Sequence, residues 1–265
     1  MLESALQFLG IYKVYEKRLK SQVESNQVPG HIGIILDGNR RWATSQGLAF
    51  VAGHEEGANV VEELLDWCHE LGIKTVTLYV LSTENLLRSA QEVTEILALL
   101  EARIGGLLED ERIVRYRVKV KAIGRQDLLP QSKESVKLRE LLEAIEKKTE
   151  QFGGHYLNIA LAYGGRAEIT DVVRSVAHDV RSGKLSPEQI TEGTVSERLY
   201  TSFLPNQEPD LIIRTSGEER MSGFMLWQGA YSELVFMDVF WPDFRFIDLL
   251  RAIRTYQRRT RRLGM

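Results

Sequence analysis

Short runs of branched apolar residues alternate along this chain with longer stretches of helical periodicity, and that alternation restricts the fold more than any other feature of its 265 residues. Ile32 to Leu36 is too short for a helix and apolar at every position, the pattern of a strand buried on both faces of a parallel sheet. Thr75 to Leu81, Tyr156 to Ala162, Asp210 to Arg214 and Glu233 to Met237 repeat the pattern. Arg117 to Ile123 instead alternates, with Val118, Val120 and Ala122 on one face and Arg117, Lys119 and Lys121 on the other. Between these runs, residues 55–71 carry Val60, Val61, Leu64, Leu65, Cys68 and Leu71 at helical spacing, before a Gly72 suited to a C-terminal cap. Helical patterns also cover 92–109, 131–151, 166–182 and about 243–262, and Ser186-Pro187 reads as an N-cap followed by proline at the first helical position. Residues 1–25 read as an amphipathic helix, with Leu2, Leu6, Leu9, Val14 and Leu19 beside Lys13, Lys17, Arg18 and Lys20. The expectation is an α/β fold: a helix over 1–28, then a single domain over 29–265 with a central, mostly parallel six-stranded sheet flanked by helices.

Composition narrows the function classes. A hydrophobic fraction of 43% with 27% charged residues excludes long disorder and fibrous chains. The net charge of −3 carries no nucleic-acid signature. The single cysteine, Cys68, forms no internal disulfide, which points to a reducing, cytoplasmic compartment. Cys68 sits in an apolar stripe and is read as core rather than nucleophile. No run of about 18 apolar residues exists to span a membrane, and the first residues lack a basic segment followed by an apolar core.

Ligands of parallel sheets sit beyond the carboxyl ends of the strands, so the residues after each run matter most. After the first run come Asp37, Gly38, Asn39, Arg40, Arg41 and Trp42. The glycine permits close approach of backbone to ligand, the next amides can open a helix N-terminus, and the arginines add cationic donors. Asp37 offers a hard oxygen of the kind that holds Mg²⁺ together with substrate phosphates. After the second run come Ser82, Thr83, Glu84, Asn85 and then Arg88. Arg214 ends an apolar strand, where an unpaired charge is costly, so it should meet an anion or a carboxylate. The turn after it runs from Thr215 to Ser222, and Glu233 opens the last strand. Guanidinium groups, carboxylates and glycine turns in this arrangement suit a substrate carrying diphosphate groups with Mg²⁺. Other phosphate and metal motifs are missing. There is no G-x-x-x-x-G-K-S/T, no G-x-G-x-x-G, no second histidine after His54-Glu55 for H-E-x-x-H, and no D-D-x-x-D.

Six segments in order carry a specific resemblance: HIGIILDGNRRWA, GHEEGA, LYVLSTEN, NIALAYGGR, PDLIIRTSGEERMSGFMLWQGAYSELVF and WPDF. From about His31 to Gly264 the chain resembles the cis-prenyltransferases, the undecaprenyl diphosphate synthase family, in its archaeal form. The resemblance implies a hydrophobic tunnel beside the sheet and a set of site roles. Asp37 is implied as the metal-binding aspartate, with Glu233 as second metal ligand. Gly38, Asn39, Arg40 and Arg41 would cradle the allylic diphosphate, with Trp42 and His54 beside it. Ser82, Thr83 and Glu84 match the substrate-contacting turn, and Arg88 an arginine of the same region. Asn85 matches the asparagine assigned to proton removal. Arg214, Arg220, Met221 and Ser222 match the isopentenyl diphosphate site. Arg262 and Gly264 match a C-terminal R-x-G that reaches the partner's site in homodimers.

The implied reaction is Mg²⁺-dependent condensation of isopentenyl diphosphate with an allylic primer, geranylgeranyl or farnesyl diphosphate. Its product would be a Z-polyprenyl diphosphate, the precursor of a glycosyl carrier lipid. The chain departs from the family pattern at Phe50, which stands in place of an arginine, and at Leu86-Leu87, where an aromatic residue and a proline near Arg88 are gone. Gly223 and Glu219 replace a common asparagine and histidine. These departures motivate a second reading, an atypical member making short or irregularly joined prenyl diphosphates. A third reading, a non-catalytic partner subunit, conflicts with the intact Asp37 and its D-G-N-R loop. The N-terminal helix invites a peripheral membrane contact, weighed against packing on the protein's own domain.

Overall fold

The computed structural model describes residues 10–259. Its centre is a six-stranded sheet of β1 (His31–Ile35), β2 (Thr75–Ser82), β3 (Val118–Ile123), β4 (His155–Tyr163), β5 (Leu211–Arg214) and β6 (Glu233–Phe236). The spatial order is β3-β4-β2-β1-β5-β6, and every pairing is parallel rather than merely most of them. Among the described residues the α-helices are α1 (Ile11–Glu24), α2 (Asn39–Ser45), α3 (Phe50–Glu70), α4 (Ala90–Glu109), α5 (Glu111–Arg115), α6 (Lys133–Thr149), α7 (Gly165–Arg181), α8 (Glu192–Ser196) and α9 (Phe246–Arg258).

The adjacent inner strands β1 and β5 are buried at every position, which is why they read as unbroken apolar runs. Their period of two divides the core. Ile32, Ile34, Leu211 and Ile213 join one cluster with Leu19, Leu64, Leu97, Leu142 and Ile253, drawn from α1, α3, α4, α6 and α9. Ile35 and Ile212 join a second cluster with Tyr79, Tyr163 and Phe224. The strand that alternates in sequence, β3, lies at the sheet edge, where Lys121 finds Glu146 of α6.

Several expectations shift. The helix expected from residue 55 starts at Phe50, because its first turn faces a cavity instead of the apolar core and so lacks apolar periodicity. Ser186-Pro187 opens only one 3₁₀ turn, Pro187–Gln189. Gln189 reaches back to cap the Ser186 amide at 2.9 Å, and the backbone turns extended at Ile190. The N-terminal helix, described from Ile11, does pack on its own domain. Leu19 and Val23 enter the main core, and Gln257 of α9 donates to the Val23 carbonyl at 2.9 Å. Val14, expected on the apolar face, is instead exposed, and Tyr12 beneath Arg245 takes the inward place. Leu2, Leu6 and Leu9 lie outside the described residues.

The topology positions the site. After β1 the chain leaves toward β2 on one side, and after β5 it leaves toward β6 on the other, so the ends of these adjacent strands open a crevice. Ile35 and Arg214 are register partners at that crevice.

Candidate active site

Asp37 leaves β1 at the crevice. Its backbone is pinned by Thr215, whose hydroxyl accepts from the Asp37 amide at 3.1 Å and donates to the Asp37 carbonyl at 2.6 Å. The Trp241 amide also donates to that carbonyl at 3.0 Å. Gly38 follows with φ of 110°, a left-handed conformation that side chains oppose, and a Cβ there would lie 2.8 Å from Phe240. The chain can then enter α2 at Asn39 directly above the carboxylate.

Arg214, only 5% exposed, sends Nη2 to Asp37 Oδ2 at 2.7 Å. Its Nη1 donates to Ser222 Oγ at 2.7 Å and to the Arg220 carbonyl at 2.5 Å, so one guanidinium ties β1, β5 and the following turn. Its Nε is buried with no partner. Arg41 adds a second cation: Nη2 lies 3.4 Å from Asp37 Oδ1 and 2.5 Å from Ser216 Oγ, and Nη1 lies 3.3 Å from Glu218 Oε1. Burial works to raise the Asp37 pKa, but Arg214 and then Arg41 outweigh it and the net shift is downward. Asp37 therefore stays an anion.

Strain gathers around this cluster. Ser216 (φ 77°), Ser222 (φ 47°) and Ala162 (φ 49°) are non-glycine residues in the left-handed region. Such conformations persist where surrounding structure over-determines them, as at binding sites. The aromatic ring of Tyr79 stacks on Phe224 at 4.8 Å, and its hydroxyl donates to the Ser222 carbonyl at 3.2 Å, holding the turn that supports Arg214.

A second cationic group sits across the opening. Glu92, 7% exposed, receives Arg88 at 2.9 Å and lies 3.6 Å from Arg40 Nε. The Arg40 guanidinium also lies over the Phe50 ring at 4.7 Å, so the residue that departs from the family pattern supports an arginine by cation–π contact. His54 Nε2 is buried with no partner. Burial, then the charge of Arg88, lowers the His54 pKa below its ordinary 6.5, so the ring is neutral at pH 7. Beside it, Ser82 and Asn85 close a reciprocal turn: the Asn85 amide donates to Ser82 Oγ and the Ser82 amide to Asn85 Oδ1, each at 3.1 Å.

Asp37, Gly38, Asn39, Arg40, Arg41, His54, Ser82, Thr83, Glu84, Asn85, Arg88, Arg214 and Ser222 all line one cavity of about 1610 Å³. Behind the polar mouth its walls are Val61, Leu65, Leu78, Ile96, Leu100 and Ile104, from α3, α4 and β2. Other expected residues lie elsewhere. Trp42 is not in the lining; its indole N–H donates to Asp243 at 2.9 Å and fastens α2 to the turn before α9. The Arg220 side chain is exposed and pairs with Glu218, and only its carbonyl reaches Arg214. Met221 packs in the second core cluster. Glu233 opens β6 level with Leu211, whereas Arg214 pairs with Phe236. It therefore sits three residues, about 10 Å, toward the opposite end of the sheet from Asp37's crevice, and it pairs with Arg259 at 2.9 Å. Arg262 and Gly264 lie outside the described residues.

Tyr79, Gly164, Gly165, Arg166, Ser216 and Phe240, which carry no expected role, also belong to the site or its supports. The Y-G-G-R run directly after an apolar strand is the sequence signal for three of them. Cys68 is a buried core residue, as expected, and burial pushes its thiol pKa up.

Comparison with known proteins converges on one family. Residues 35–264 match the family model described as putative undecaprenyl diphosphate synthase. The chain is 51% identical to a tritrans,polycis-undecaprenyl-diphosphate synthase (geranylgeranyl-diphosphate specific) of Methanopyrus kandleri, covering 96% of this chain and 91% of that protein. It is 46% identical to the protein of the same description from Methanocaldococcus jannaschii, covering 96% and 89%. Among solved structures it superposes on lavandulyl diphosphate synthase of Lavandula x intermedia, in complex with dimethylallyl diphosphate. There the TM-score is 0.85 and the identity 34%, over 90% of this chain and 99% of that one. It also superposes on a probable undecaprenyl diphosphate synthase of Campylobacter jejuni, with a TM-score of 0.70 and 28% identity, over 91% and 100%. The family model, the archaeal relatives and the shared parallel-sheet fold agree: this chain belongs to the undecaprenyl diphosphate synthase family of cis-prenyltransferases.

Proposed function

We propose that the protein condenses isopentenyl diphosphate with geranylgeranyl diphosphate and extends it to a Z-polyprenyl diphosphate, a precursor of a glycosyl carrier lipid. The observation that carries this reading is the mouth of the cavity. There a buried Arg214 with a free Nε, a neutral His54 with a free Nε2, and three further arginines surround Asp37 in front of apolar walls. Buried polar atoms without partners are costly, and a diphosphate would satisfy them. The primer follows the names of the archaeal relatives.

Asp37 would hold Mg²⁺. The described residues contain no group of three or more potential ligand side chains, which fits an ion that keeps waters and takes its other ligands from phosphates. A Mg²⁺ ion held by Asp37 would supply neutralisation of the charge that builds on a diphosphate leaving group. Arg40 and Arg41, at the start of α2, donate to the allylic diphosphate. Arg214 and the Ser222 hydroxyl hold that of isopentenyl diphosphate, with the acceptor double bond turned toward the allylic carbon. An amide is too weak a base to keep a proton, so the proton lost on forming the new double bond goes to an oxygen of the departing diphosphate, which Asn85, locked by Ser82, orients. The prenyl tail lies between α3 and α4, where each buried CH₂ stabilises it by ~0.8 kcal/mol.

The finer assembly belongs to the same proposal. The protein acts as a homodimer in which Arg262 and Gly264 reach the neighbouring site, and gel filtration at the monomer mass would contradict this. It acts in the cytoplasm, in peripheral contact with a membrane. Among the described residues no helix is long and apolar enough to cross one, and α1 turns Lys13, Val14, Lys17 and Arg18 outward. Recovery of all the protein in the soluble fraction at low salt would contradict the contact. The test of the reaction is incubation of purified protein with labelled isopentenyl diphosphate, Mg²⁺ and each allylic primer. The expected result is butanol-extractable label of regular polyprenyl mass with geranylgeranyl diphosphate. No extractable label with any primer would defeat the reading, and masses of short or irregularly joined products would replace it.

A further inference from the structure

The cavity does not end in apolar wall. Its lining continues to Asp66, Asp110, Arg112 and Tyr116. His54 and Asp66 lie on the same helix, α3, twelve residues or about 18 Å apart, so these groups mark the end remote from the diphosphate mouth. Here one guanidinium joins two elements. Arg112 Nη1 donates to both Asp66 oxygens at 2.9 and 2.8 Å. Its Nε donates to Asp110 at 3.1 and 3.0 Å, and its Nη2 to Asp110 Oδ2 at 2.8 Å. Asp110 in turn caps α5 by accepting the Arg112 amide at 2.8 Å. The Arg112 guanidinium accordingly holds the Asp110 carboxyl below its usual range.

The geometry bears on the seam between α3 and α4. That seam is mainly apolar toward the cavity, and its polar ties among the described residues are two arginines that also line the cavity. Arg103 of α4 reaches Glu62 at 2.5 Å and Asn59 at 2.6 Å partway along, and Arg112 closes the end. An isolated exposed ion pair holds little, but a planar fork shared between two carboxylates, one of them a helix cap, locks a single geometry.

We propose that Arg112, by clamping Asp66 to Asp110, keeps the α3–α4 seam shut at the far end of the cavity and so limits the length of the prenyl chain. Arg112 acts as a specificity-determining residue through the walls, without touching the reacting atoms. The inference rests on the elongation reaction proposed above. With the clamp closed, a growing tail stops against this end. With it open, the tail passes between α3 and α5 and condensation continues.

The test compares product ladders from geranylgeranyl diphosphate and labelled isopentenyl diphosphate, dephosphorylated and resolved by chain length. Arg112→Ala and Asp66→Asn should each lengthen the main product by at least one isoprene unit relative to the unmodified enzyme. Arg112→Lys, which keeps the charge but lacks the fork, should fall between them and the unmodified enzyme. Arg115→Ala, on the same short helix but outside the cavity lining, should leave the ladder unchanged. Raising salt to about 1 M, where screening reaches within about 3 Å, should move the unmodified enzyme's ladder toward that of Arg112→Ala. Ladders identical in all variants, with only the melting temperature of Arg112→Ala lowered, would show a merely structural clamp and overturn the inference while the reaction stands. An unmodified enzyme that adds no isoprene unit would overturn the reaction and the inference together.

Discussion

Each end of the same cavity carries an arginine bound to aspartate, and the two sites are built differently. At the mouth, Arg214 is buried, grips Asp37 with one nitrogen, and leaves Nε without a partner. At the far end, Arg112 is partly exposed, and Nε and both Nη atoms are engaged by two carboxylates. Identical functional groups thus serve opposite purposes. Buried, incompletely satisfied polar atoms favour the arrival of a ligand that completes them. A partly exposed arginine whose nitrogens are all engaged has little to gain from an anion and works as a fastener. The number of groups left waiting, more than charge itself, separates a binding site from a clamp here.

The sharpest way to break this contrast is at Asp37. Asp37→Asn removes the anion facing Arg214 and the metal-holding oxygen, so incorporation of isopentenyl diphosphate should fall ~1000-fold, equivalent to ~4 kcal/mol of transition-state stabilisation. Initial rates with the most effective primer measure this, and a loss below tenfold would deny Asp37 its place. Next comes Arg214→Lys. An ammonium cannot reach Asp37, Ser222 and the Arg220 carbonyl together, so KM for isopentenyl diphosphate should rise by ~100-fold. An unchanged KM would make Arg214 a fastener like Arg112. A smaller effect is expected at Phe50→Leu, which removes the ring under Arg40. At this partly exposed site the contact contributes ~0.5–1 kcal/mol, so the primer KM should rise about two- to fivefold. An effect on isopentenyl diphosphate instead would place Arg40 with the other substrate.

The mildest test is the protonation of His54. Burial and Arg88 lower its pKa, so an NMR titration should show a midpoint below 6.5 in the free enzyme and an upward shift when a diphosphate binds. Below pH 6.5 the unfolded chain binds more protons at this residue than the folded one. Stability from His54 is therefore complete above 6.5 and declines as the pH falls through that value. A free-enzyme midpoint at or above 6.5 would contradict the buried, neutral ring.

Much of the fold could be read along the chain because its determinants are local. Five- to seven-residue runs, apolar for the inner strands and alternating for β3, announce the sheet, and all six strands appear within a residue or two of their expected ends. Much of the mouth is also legible, since Asp37, Arg40, Arg41, the Ser82–Asn85 turn and Arg214 each end or follow a strand or open a helix, whereas His54 is pointed to only by the family resemblance. Less is legible where a side chain's partner is remote in sequence. Trp42 donates to Asp243, 201 residues away, a contact that no local pattern announces. Val14 fitted an apolar stripe, yet α1 is rotated so that Tyr12, Leu19 and Val23 face inward.

The deepest division lies between chemistry and placement. Which residue types could hold a diphosphate, and that a parallel sheet would present them, followed from periodicity and from the cost of ending an apolar strand in a charge. Which carboxylates stand together did not. The strand register sends Glu233 to the opposite end of the sheet from Asp37. Only the packing of α3 against α4 and α5 brings Asp66 to Arg112, 46 residues further on. Alternation is encoded within a few neighbouring residues, whereas such pairings depend on how whole helices settle against a twisted sheet, and that is decided when the core closes.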